Sequence, residues 1–210
     1  MADRKFLKTI DDKCEAELVD LGFKRPRRGA IYLEINPAFI GWVGLNQGNH
    51  GEIVNINPNV GIHCVPAEKL WRDLVRDNSR PYRKGESATF SLPLGSLAPR
   101  EIDAIQFLVD VPTEREARRL SLLVGEYGVP WMLEHASYDA LIPLLEQHFA
   151  HLPNYPERLA AMYYFSGDVS KAAELIDGVR DRLLTEQSET GLKHFNKFAV
   201  PFLEMLEGNK

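Results

Sequence analysis

Asn55, Asn57 and Asn59 stand at two-residue spacing, with His63 four residues further on. On a strand, side chains two apart share a face, so these groups line one surface, with His50 nearby in sequence. Asparagine is depleted from ordinary strands, and a row of three asks for a reason. Two readings stay open. The row is either the floor of a small-ligand or catalytic pocket, or the solvated face of a half-buried sheet.

Lys24, Arg25, Arg27 and Arg28 form the densest basic run of the chain. Arginine offers a planar fork to a phosphate or carboxylate, and cations also complement the negative end of a helix that stops just before them. His148 and His151 lie three apart on an expected helix, downstream of Glu134 and His135. A zinc site needs three or four placed ligands, and neither His-Glu-x-x-His nor Cys-x-x-Cys is present, so no metal is expected. The sequence has no Gly-x-Ser-x-Gly elbow and no glycine-rich phosphate loop between a strand and a helix. Neither Cys14 nor Cys64 has an activating neighbourhood, and no catalytic residue or cofactor is expected.

The formal charge of −5 is unevenly placed. Lys and Arg against Asp and Glu number 8 to 8 over 1–64, 10 to 10 over 65–128, and 7 to 12 over 129–210. Nucleic-acid binding calls for a basic face that displaces counterions, and this distribution disfavours it. The acidic excess falls in a helix-rich region where Glu174, Asp177 and Asp181 share a face, an arrangement suited to a basic partner.

The elements that hold these groups are read from periodicity. Phe6, Ile10, Cys14 and Leu18 recur every four residues and mark a helix, closed by Gly22. Strand-like runs follow at 31–35, 39–45 and 54–62, the first and third alternating and the second apolar; a turn at 46–51 closes the second and Pro58 interrupts the third. A short helix is expected over 66–77, then strands over 89–94 and 105–111. Thr113 with Glu116 makes a capping-box pattern for a helix that runs to Gly128. Beyond it the period is helical to the end, with Asp168 as a helix cap and Pro143 and Pro201 inside apolar stripes. Trp42, Trp71 and Trp131 read as core residues. The fold class is therefore α+β: a mostly antiparallel sheet of about five strands with flanking helices. The division expected is an α+β domain over 1–128 and a helical subdomain over 129–210 packed on it.

The stretch Leu18-Val19-Asp20-Leu21-Gly22-Phe23-Lys24-Arg25, then Ala30 to Glu34, then Asn55-Ile56-Asn57-Pro58-Asn59-Val60-Gly61-Ile62, is similar to the bacterial domain of unknown function 4304 family. The resemblance covers roughly residues 5–110. It implies no catalytic residue, and it implies an association with bacterial conflict or immunity gene clusters.

Two cysteines in 210 residues, no apolar run near the length of a membrane span, and a charged start together lead to a cytoplasmic expectation. The function expected is a non-enzymatic protein-binding module, an immunity or defence-associated protein that neutralises a toxin. The alternative is a ligand binder or enzyme working on the Asn55–His63 face.

Overall fold

The computed structural model describes residues 2–25, 31–75, 82–98, 104–151 and 155–208. The architecture is α+β, with a five-stranded antiparallel sheet and helices that dominate the C-terminal half.

Helix α1 (Arg4–Asp20) starts where Asp3 accepts a hydrogen bond from the Phe6 amide at 2.8 Å. Ile10, Cys14 and Leu18 are fully buried along one stripe. Its end is a Schellman turn: the Phe23 amide returns to the Leu18 carbonyl and the Gly22 amide to that of Val19. Gly22 takes φ 91° there, a conformation that favours glycine.

Strand β1 (Ile31–Glu34) pairs with β2 (Phe39–His50), with Ile31 opposite Val43. The outer edge of β1 is closed at one point, where Lys24 and Tyr32 exchange backbone hydrogen bonds. β2 neighbours β3 (Ile53–Cys64) in the sheet. The turn expected over 46–51 shrinks to Gly51 and Glu52, with Gly51 at φ 79°. Strand β2 runs through to His50 because α1 supports it. Gln47 Nε2 donates to Asp11 at 2.5 Å, Asn49 Nδ2 to the Ala2 carbonyl, and the Ala2 amide to the Gly51 carbonyl.

The other side of β3 takes two short strands in succession. β5 (Ile105–Leu108) pairs with residues 53–56 and β4 (Phe90–Pro93) with residues 59–62. Pro58, which has no amide hydrogen to give, falls between these two registers. Helix α3 (Glu114–Leu123) does not stop at Gly128. It passes through a π-turn (Val124–Gly128) into α4 (Val129–Glu134). Pro130 accounts for the wider turn, since its ring would clash with the carbonyl four residues back in a regular helix. Gly128 packs closely on the sheet: a Cβ there would lie 3.0 Å from Val60 Cγ1, a tight contact that glycine avoids.

The remaining helices are α2 (Val65–Val75), α5 (Tyr138–His151), α6 (Pro156–Ser166), α7 (Val169–Thr185) and α8 (Glu189–Gly208). Asp168 caps α7 by accepting from the Lys171 amide, as its sequence position suggested. Pro143 and Pro201 sit inside α5 and α8.

Two compact units emerge, and they do not follow a single cut at residue 128. The sheet unit is Met1–His63 with Gly85–Ala136, and the helical unit is Cys64–Lys84 with Ser137–Lys210. The reason is packing. α2 contacts α6 and α8, while α4 contacts β2, where Gly41 makes room for the Met132 side chain. Within the helical unit, Glu68 on α2 is 3% exposed and meets Arg158 on α6 at 2.8 Å. The Arg158 guanidinium also stacks over the Tyr155 ring, 4.8 Å from its centroid.

Candidate functional site

The asparagine row divides on folding. Asn57 is exposed, whereas Asn55 and Asn59 are half-buried. His63 is 1% exposed, and its Nδ1 donates to the Ser87 carbonyl at 2.6 Å. The ring is therefore engaged at one nitrogen by the backbone and does not face solvent beside the asparagines. The Asn55 side-chain oxygen is buried without a hydrogen-bond partner.

The basic run is answered within the molecule. Lys24 pairs with Glu34. Arg25 reaches Asp12 through Nη2 at 3.1 Å and Glu15 through Nε at 2.5 Å. Arg27 and Arg28 lie outside the described residues. The acidic row on α7 is offset in net charge by its own helix. Glu174, Asp177 and Asp181 are exposed, but the same helix carries Lys171, Arg180 and Arg182, so its formal charge is balanced. Asp177 lies 3.8 Å from Arg180. Among the described residues no group of three or more His, Cys, Asp or Glu is placed to hold a metal ion. No helix among them is long and apolar enough to cross a membrane.

Carboxylates converge elsewhere, in the sheet unit. A cleft of about 340 Å³ is lined by Asp11 and Glu15 of α1, Ile31 of β1, Trp42 to Asn46 of β2, and Glu86 from the loop before β4. Asp11 and Glu15 are one helical turn apart and so share a face of α1. Trp42 lies across Gly44, two residues on along the same face of β2. A Cβ at Gly44 would come within 2.2 Å of the indole Cη2, so only glycine leaves space for the ring. The indole Nε1 is buried and has no hydrogen-bond partner.

Electrostatically the cleft is held under tension. Burial raises the pKa of Asp11 above the ordinary carboxylate value, and the hydrogen bond from Gln47 opposes this only in part. Burial likewise raises that of Glu15, against the pull of Arg25. A cation entering the cleft would favour the ionised forms of both. At an effective dielectric near 20, opposite charges about 4 Å apart attract by roughly 4 kcal/mol before desolvation is subtracted. An indole beside carboxylates adds a second means of holding a cation.

The chain matches no protein-family model, no curated protein and no solved structure. The resemblance of residues 5–110 thus rests on the quoted stretches alone, and the function is argued from the site.

The cleft escaped the sequence reading because Asp11 and Asp12 look like the solvated side of an amphipathic helix. The only local sign was Trp42 followed two residues later by Gly44. On one strand face that spacing leaves room for an indole lying flat.

Proposed function

We propose that the protein is a non-enzymatic binding protein, and that the cleft over β2 holds a basic side chain, lysine or arginine, of a protein partner. The observation that carries this reading is the convergence of Asp11, Glu15 and Glu86 on a cavity walled by Trp42. Its volume falls at the small end of ligand pockets, roughly 300–1,000 Å³, which suits one long side chain. This reading keeps the basic partner expected from the charge distribution and moves its docking point from α7 to the sheet unit. A toxin as that partner rests on the family resemblance and its association with conflict gene clusters.

Titration with oligolysine and oligoarginine peptides, followed by calorimetry and by tryptophan fluorescence, tests it. The Asp11→Asn/Glu15→Gln double variant should bind at least about tenfold more weakly, a loss of roughly 1.4 kcal/mol. Because Asp11 and Glu15 must ionise to hold a cation, affinity should rise as pH climbs above the ordinary carboxylate range. Equal affinity of the double variant and the unaltered protein would sink the reading.

A further inference from the structure

In the helical unit, a groove of about 200 Å³ runs between α5 and α7, lined by Phe149, Glu174, Leu175, Gly178, Val179 and Arg182. Gly178 is exposed at its centre, and a Cβ added there would meet nothing within 4 Å. The helix surface is therefore open at this point and admits close approach by another helix.

The charges flanking Gly178 are arranged symmetrically. Glu174 stands four residues before it and Arg182 four residues after, about 6 Å along the axis in either direction. Glu174 is exposed, with no ion-pair partner among the described residues. Arg182 reaches over the Phe149 ring, 6.0 Å from its centroid, and its nearest carboxylate, that of Glu186, is 3.9 Å away. A helix with opposite charges at equal distances from a small residue is self-complementary when a second copy lies antiparallel. A two-fold axis through Gly178 places Glu174 of each copy against Arg182 of the other.

We propose that α7 is the contact of a weak homodimer, crossing its second copy at Gly178 with two reciprocal Glu174–Arg182 pairs. Weakness follows from the same register. Asp181, three residues after Gly178, falls opposite Leu175 of the second copy, and the ion pairs lie at the rim, where such pairs contribute little. The acidic cleft is not involved, so this contact stands or falls separately from it.

Sedimentation equilibrium over a concentration series reaching the millimolar range tests the proposal. The unaltered protein should show a monomer–dimer equilibrium. Glu174→Arg and Arg182→Glu should each weaken it by about tenfold, because a single change sets like charges together at both pairs. The double variant Glu174→Arg/Arg182→Glu, which restores opposite charges, should recover association. Gly178→Arg should abolish association without lowering the thermal midpoint, since glycine is a poor helix former and the space above it is open. A protein monomeric throughout the series, or a double variant no better than the single ones, would overturn the proposal.

Discussion

In each unit of the molecule a glutamate meets an arginine distant in sequence, and the two pairs differ in how deeply they are enclosed. In the helical unit, Glu68 and Arg158 tie α2 to α6, with side-chain exposures of 4% and 15%. In the sheet unit, Glu15 meets Arg25 with exposures of 14% and 49%, at the wall of an acidic cleft. The first arginine is enclosed, stacked on Tyr155 as well as paired. The second has half its side chain in water and also serves Asp12. Burial decides what each pair does. An enclosed charge whose partner is removed has no water to turn to, whereas an exposed one is resolvated at once.

Removing the charge from each pair is the strongest way to break this comparison. Glu68→Gln should destabilise the protein by about 3–5 kcal/mol, as expected when a buried pair loses one member. Glu15→Gln, which leaves behind the half-exposed Arg25, should lower stability by no more than about 1 kcal/mol, the range of exposed pairs. Urea unfolding of both variants measures the difference. Equal losses would mean that exposure does not decide what each pair contributes to stability in this chain.

A smaller effect sharpens the same contrast through pH. The folded protein raises the pKa of Glu15 above its ordinary 4.5, with burial as the leading cause. Between the ordinary and the raised value, the folded state holds more protons than the unfolded one, so this group's contribution to stability falls as pH rises. Glu15→Gln removes that term. Relative to the unaltered protein, the variant should gain stability as pH climbs from below 4.5 through the raised value. A variant that loses stability relative to the unaltered protein over this range would contradict the strained carboxylate at the acidic cleft.

The fold was more legible in the sequence than the site, for physical reasons. Ile10, Cys14 and Leu18, and the alternation along β3, are one-dimensional records of which face is buried, so periodicity recovers them. Asp168 announces its helix because capping is a local hydrogen bond. Gly128 misled, since a glycine after an apolar stripe usually ends a helix. Here it lets the chain approach Val60 while Pro130 forces a π-turn. Thr113 caps its helix by position but makes no side-chain hydrogen bond to it. The cleft left no periodic trace at all. Asp11, Trp42 and Glu86 are brought together by tertiary packing, and residues so far apart reveal their convergence only in the folded chain. His63 shows the converse: two-residue spacing set it on the asparagine face, but in the fold it is buried and its Nδ1 meets the carbonyl of Ser87, 24 residues away.

The smallest signal comes from the thiols, one in each unit. Cys14 and Cys64 are both fully buried, and burial pushes each thiol up to about 12. For Cys64, the Ala67 amide and a hydrogen bond from the thiol to the Tyr138 hydroxyl, 4.0 Å away, offset this only in part. At pH 8 roughly one thiol in ten thousand would be ionised even if reagent could reach it, so the native protein should resist labelling at both positions. Labelling then reports opening, and the two positions report different units. Glu68→Gln, which loosens α2 just beyond Cys64, should speed modification of Cys64 well ahead of Cys14. Mass spectrometry of peptides carrying each cysteine reads the two rates independently. If both rise together by the same factor, the chain opens as one cooperative whole, and the contrast between the enclosed and the exposed pair loses its energetic basis. If Cys64 alone responds, the sheet unit keeps its cleft intact while the helical unit breathes.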